Sequence, residues 1–245
     1  MRKPSVIPRF PFILLAYFTL LSSSISAAQL QVVTEHREPL NFVNDKGEIV
    51  GDATRVVKQI LEHAAVDYEL NIYPWARAYR KAKTEPNTLI YAIRRTNERE
   101  KEFHWVCPII PSEREFIYRL SSRQDVQLVY FEDAKFYSLG VVRDDFTHEK
   151  LVTHGFKHLD VNNDSLANLK KLLKGRVDLI VQSDSTITRH LAALDIPQSR
   201  VTAALPFELE QPTCLALNKH TSKELVDKIR TSHSKLFKLG LIPMG

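Results

Sequence analysis

The stretch richest in groups that could do chemistry is Ile93–Ile109, IRRTNEREKEFHWVCPI, where Arg94, Arg95 and Arg99 are mixed with acids ahead of a Trp, a Cys and a Pro. A planar guanidinium can hold a carboxylate through two parallel charge-assisted hydrogen bonds. The plain alternative is a solvated helix face, where an ion pair contributes less than about 1 kcal/mol. Arg95 and Arg99, like Glu98 and Glu102, would be like-charged neighbours one helical turn apart, which does not favour a helix. That spacing points to Arg99 as a group held for an anion. Other chemistries lack their residues: there is no H-E-x-x-H, G-x-S-x-G, C-x-x-C or Walker pattern, and seven glycines leave no Gly-rich phosphate loop. His154 and His158 have metal-ligand spacing, but Gly155 lies between them and no third ligand is near, so no metal is expected. Cys107 precedes Pro108 on what reads as a strand, without the helix N-terminus that would activate a thiolate.

The elements that must position these groups alternate as strand and helix, the pattern of an α/β fold with largely parallel sheets. LQVVT reads as a first strand. DATRVVKQILEHAA reads as a helix with Val56, Val57, Ile60, Leu61 and Ala64 on one face and Asp52 as its N-cap. YELNIY is a second strand, PWARAYRKAK a helix, TLIYAI a third strand, and TNEREKE is expected to start a helix. In open α/β sheets ligands bind beyond the carboxyl ends of strands, which is where the arginine-rich stretch begins. Farther on, EFIYRL, FYSLGVVR, HLDV and VDLIVQS read as strands, SLANLKKLLKG as a helix closed by Gly175, and STITRHLAALDI as another helix. TCLALNK and a last helix with Leu225, Ile229, Leu236 and Leu239 as apolar positions end the chain.

With 245 residues and 44% hydrophobic content the chain can bury a large core. Arg2, Lys3 and Arg9, then FPFILLAYFTLL, then SSSISAA, form the basic, apolar and small segments of a secretory leader, with cleavage expected after Ala28. The apolar run is short for a membrane span, which needs roughly 20 residues. Without those three basic residues the formal charge of +5 falls to +2, and Lys and Arg are interspersed with acids, so no nucleic-acid partner is indicated. Export also separates the chain from ATP and NAD. Cys107 and Cys214 are compatible with one disulfide in an oxidising compartment and equally with two buried thiols.

Taken in order, LQVVTEHREPLNFVNDKGEIVG, PWARAY, TNEREKEFHWVCPI, LGVVR, LLKGRVDLIVQSD and CLALNK make the chain after residue 28 resemble the bacterial extracellular solute-binding proteins of family 3, the receptors of polar amino-acid ABC importers. The resemblance implies a two-lobed periplasmic-binding-protein-like (type II) α/β fold. Each lobe would hold a mixed, mostly parallel sheet flanked by helices, with two hinge crossovers. Residues 29–110 plus 213–245 would form lobe 1 and residues 111–212 lobe 2, after a signal peptide over residues 1–28. Cys107 and Cys214 would then lie near the crossing strands, which favours a disulfide.

By the same resemblance Thr96 and Arg99 match a Thr-x-x-Arg motif that grips a ligand carboxylate, Trp75 an aromatic that stacks on the ligand, and Glu35 an acid that meets its amine. Arg77 is a weaker candidate, and Arg94 stands where many members carry a small hydroxyl residue, a second positive group for an anionic end. The second-lobe acid of the family falls at Ser183, beside Asp184, and Asp144 and Asp145 would disfavour a carboxylate near Arg143. The implied protein is a monomeric periplasmic receptor, without catalytic residues or cofactor. It captures a small polar, carboxylate-bearing solute and presents it to an ABC transporter permease. The alternatives are a soluble partner of a membrane sensor, or an enzyme of the cyclohexadienyl dehydratase type with Glu35 or Glu38 as general acid.

Overall fold

A computed structural model describes residues 29–207 and 211–243. The leader expected over residues 1–28 lies outside the described residues. The first half of the chain forms β1 (Leu30–Thr34), β2 (Phe42–Val43), β3 (Ile49–Val50), α1 (Asp52–His63), β4 (Tyr68–Ile72), α2 (Trp75–Thr84), β5 (Thr88–Arg94) and β6 (Phe103–Ile110). There follow β7 (Glu115–Leu120), β8 (Leu139–Val142), α3 (Phe146–Thr153), β9 (Leu159–Asn162), α4 (Ser165–Leu173), β10 (Leu179–Ser183), α5 (Asp184–Ala193) and β11 (Val201–Phe207). The chain closes with β12 (Thr213–Asn218) and α6 (Lys223–Lys238).

The strands form two five-stranded sheets, in the orders β4-β1-β5-β12-β6 and β11-β7-β10-β8-β9, with β2 and β3 as a separate small pair. Each large sheet has a parallel half and an antiparallel half. β4, β1 and β5 are parallel while β12 runs against both β5 and β6. β9, β8 and β10 are parallel while β7 runs against β10 and β11. The chain leaves the first sheet after β6 and returns to it only with β12, which inserts between β5 and β6. Cys107 of β6 and Cys214 of β12 are bonded, with sulfurs 2.02 Å apart, tying together the two strands that bracket the excursion.

β5 is buried at every position, the signature of a central strand covered on both faces. On one face α1 and α6 pack Val56, Ile60, Ile229 and Leu236 against Leu89 and Tyr91; on the other α2 packs Ala78 and Ala82 against Ile90 and Ile93. The second sheet is covered likewise, with Leu151 of α3 on Leu139 and Val141, and with Leu169, Ile187 and Leu191 of α4 and α5 on Tyr118 and Ile180.

Three local expectations are corrected. The N-cap of α1 is Gly51 and not Asp52: its φ is 122°, and a Cβ there would sit 2.4 Å from the Leu40 carbonyl oxygen, so only glycine fits. TNEREKE starts no α-helix. It is a turn closed by Arg99 N donating to Thr96 O (3.2 Å), with a single 3-10 turn at Glu100–Glu102 before β6 begins. Leu239 of the expected apolar face of α6 is 61% exposed, because the helix has reached its C-cap there. His154 and His158 do not share a helix face: His154 caps α3 and the chain leaves the helix at Gly155.

Candidate functional site

The carboxyl ends of the parallel strands of the two sheets face each other across a cleft. From the first sheet, Glu35 follows β1, Trp75 opens α2 three residues beyond the end of β4, Arg94 ends β5 and Arg99 sits in the following turn. From the second, Asp145 is the N-cap of α3 after β8, and Gln182 and Ser183 end β10. Together they enclose a cavity of about 70 Å³. That is room for a few waters or a compact polar group. A second chamber of about 490 Å³ adjoins it, sharing Glu35, Trp75 and Ser165 and lined outside them by Tyr73, Leu166 and His190.

Arg99 is only 1% exposed. Its guanidinium lies over the rings of Trp75 and Tyr79, at 5.4 and 4.8 Å from their centroids, so cation–π attraction replaces part of the lost hydration. Its Nη2 donates to the Asp144 carbonyl (3.1 Å) and lies 2.9 Å from Oε2 of Glu149 on α3. The same Asp144 carbonyl accepts from Trp75 Nε1 at 2.6 Å. Asp144 has φ 59°, a left-handed conformation that Asp tolerates. One carbonyl of the second sheet's side thereby latches two residues of the first.

A second ionic cluster is centred on Glu115, the first residue of β7. Its Oε1 accepts from Arg37 Nη2 (3.0 Å) and more loosely from Arg94 Nη2 (3.4 Å), while Arg94 Nη1 donates to the Gln211 carbonyl (3.0 Å). Arg94 therefore joins the returning chain to the second sheet. Burial pulls its pKa down, and Glu115 offsets part of that cost.

Glu35 and Asp145 behave differently. Neither carboxylate has a cation within bonding distance among the described residues; Asp145 accepts only the backbone N–H of His148 (2.7 Å). Removal from water raises Glu35 to about 7, against the attraction of Arg37 and Arg99 and with repulsion from Glu115 and Asp164. Burial raises Asp145 to about 8, helped by Glu35 and Glu115 and opposed by the His148 N–H and by Arg99. At neutral pH the cavity therefore holds two carboxyl groups close to half-protonated or more.

Of the residues singled out in the sequence, Arg99, Arg94, Trp75, Glu35 and Ser183 line the inner cavity. Ser183 serves there as the N-cap of α5, accepting from Thr186 N (3.3 Å). Thr96 does not reach the cavity; its hydroxyl accepts from Arg99 N (3.3 Å) and shapes the turn that presents Arg99. Arg77 is exposed and lies over the Tyr73 ring (4.4 Å), away from the inner cavity. Asp184 is exposed and accepts from the Tyr118 hydroxyl. Sequence reading passed over Arg37, Glu115, Glu149 and Gln182. Arg37 lies two residues beyond Glu35 and could have been found as its neighbour; the others come from the second sheet and carry no local signal.

The sequence profile of the bacterial extracellular solute-binding proteins, family 3, matches residues 30–237. No curated protein sequence matches significantly. Among solved structures, a histidine kinase sensor domain with similarity to periplasmic binding proteins superposes with a TM-score of 0.77 at 16% identity, covering 87% of this chain and 92% of that one. An ancestral arginine-binding protein bound to arginine gives 0.73 at 19% identity, covering 86% and 93%. The arginine-, lysine-, histidine-binding protein of Geobacillus stearothermophilus gives 0.71 at 17%, covering 87% and 91%. At these identities the likeness speaks for the fold.

Proposed function

The chain belongs to the bacterial extracellular solute-binding proteins of family 3, and from that premise we propose that it is a periplasmic receptor that captures a small polar solute by closing two lobes on it. The lobes are residues 29–110 with 213–245, and residues 111–212, and the leader over residues 1–28 is removed on export. The observation that carries this reading is the cavity itself, whose charged lining comes from both sheets. The contacts across it are mostly polar: Arg37 to Glu115, Arg99 to Glu149, Trp75 and Arg99 to the Asp144 carbonyl, and Thr186 to the Glu38 carbonyl (3.3 Å), with Val142 of β8 packing into the cluster around Trp75. Such polar contacts can form and part with little disturbance to either core, so a solute that touches both lobes shifts the population toward the closed form. The closed form then docks on the permease of an ABC importer. The likeness to a histidine kinase sensor domain makes a membrane sensor the other class of partner.

A second reading has one observation in its favour. Glu35, raised to about 7, is a carboxyl that could donate a proton, as an enzyme of the dehydratase type would need. The binding reading expects every solute to be recovered unchanged after incubation with the protein; a new product in the mass spectrum would favour the enzyme.

The binding reading is tested by a thermal-shift screen of the chain from Gln29 onward against amino acids, dicarboxylates, amines and short peptides. A true ligand at 100 times its Kd adds about 2.7 kcal/mol of stability. At least one compound class is expected to raise Tm saturably, and a screen silent for every small solute would overturn the proposal.

A further inference from the structure

The charges in the cleft are not evenly met, and the imbalance narrows the class of solute, on the reading that the cleft is a solute site. Each arginine lining the inner cavity already has an acid of this chain: Arg37 and Arg94 share Glu115, and Arg99 has Glu149. The Arg99 pairing is the informative one. Glu149 reaches from α3, outside the inner cavity, and sets a carboxylate 2.9 Å from a guanidinium that is 1% exposed, so the charge a solute's carboxylate would seek is already balanced. The groups left over are of the opposite kind. The Glu35 and Asp145 carboxylates line the same cavity with no cation on them, and Gln182 Oε1, on a side chain 5% exposed, accepts no hydrogen bond among the described residues. One donor is also unmet, Arg99 Nε, but the charge of that guanidinium is balanced by Glu149.

Two carboxyl groups without a cation and an amide oxygen around one small cavity, beside the Trp75 ring, are acceptors that a positively charged donor would satisfy, holding the carboxyls ionised. We propose that the solute is a small organic cation without a carboxylate group, an amine or guanidine. Its charged head lies between Glu35 and Asp145 and donates to Gln182, while its tail runs into the outer chamber past Trp75 and Tyr73. Glu149 balances the charge of Arg99 and so weakens its pull on an amino acid's carboxylate. The cation also removes the cost of holding two acids close together out of water.

Arginine and agmatine differ only in the carboxylate, so isothermal titration at pH 8 with agmatine, butane-1,4-diamine, arginine and glutamate is decisive. Wild-type protein is expected to bind agmatine or the diamine at least 10-fold more tightly than arginine, and glutamate not at all. Glu149→Gln, which frees Arg99, is expected to move the arginine-to-agmatine affinity ratio at least 10-fold toward arginine. Glu35→Gln is expected to weaken the cation at least 30-fold, with circular dichroism confirming the fold of both variants. Arginine or glutamate binding as tightly as the cations would overturn the inference and leave the receptor reading intact. An unchanged ratio in Glu149→Gln would overturn the role of Glu149. A panel silent in every arm would also overturn it, and the receptor reading would fall only if the wider solute screen were silent too.

Discussion

At the residue scale the behaviour of the cleft follows from which charges have partners. Arg99 is enclosed between two rings and an acid, so Arg99→Ala removes a desolvated charge pair and leaves Glu149 facing an apolar hole. Loss of such a partner costs about 2–5 kcal/mol, which should weaken any solute that needs the closed form by roughly 30-fold or more in a titration. Glu35 and Asp145 make stability depend on pH. Their folded pKa values, about 7 and about 8, lie above the unfolded values of 4.5 and 3.8, so the folded state keeps protons that the unfolded state has lost. Their contribution is fully present below pH 4 and is lost as pH rises to about 8. The groups facing them, Arg37, Arg99, Glu115, Asp164 and the His148 N–H, set the size of the effect. The expected difference between wild type and Glu35→Gln is about 1–3 kcal/mol in unfolding free energy between pH 5 and pH 8. Parallel pH profiles for the two proteins would contradict it. Arg99, Glu35 and Trp75 came out of the sequence through the family resemblance, Arg99 also through its like-charged spacing, and all three line the inner cavity. Glu115, Glu149 and Gln182 were not, because what makes them matter is the opposite sheet.

At the scale of elements, hydrophobic period and turn chemistry explain most of what forms. Val56, Val57, Ile60 and Leu61 were assigned to one face of α1 and all are buried against the first sheet. Ile60→Ala is accordingly expected to cost about 2–5 kcal/mol in denaturant unfolding. α3 was not foreseen, since FTHEKLVT buries only Thr147 and Leu151 and has almost no apolar stripe. It is held instead by the Asp145 cap, which is how an acid expected to repel a ligand carboxylate became a helix start. The turn after β5 was misread for the opposite reason. A polar run there looks like a solvated helix, but β6 starts too soon to allow one, and the turn delivers Arg99 into the cleft.

At the scale of the whole molecule the order of strands carries the function. Returning β12 to the first sheet makes the second lobe an insertion, and the Cys107–Cys214 bond closes it as a loop of 107 residues in sequence separation. Constraining so long a loop in the unfolded chain is worth about 2–4 kcal/mol, so Cys107→Ser with Cys214→Ser should lower the unfolding free energy by that amount without changing solute specificity. An unchanged midpoint in denaturant would contradict it. The two-lobed plan was legible in the sequence because many weak segments resemble one family in the same order; the contacts between the two sheets were not, since pairs such as Arg37 with Glu115 are far apart in sequence.

The measurement that tests the central claim most directly is isothermal titration of the strongest compound from the solute screen into wild-type protein and into folded Glu35→Gln. One saturable site in the wild type, weakened at least 30-fold in the variant, is the predicted result. Equal affinity in the two proteins would mean that the solute binds somewhere other than the cleft between the sheets.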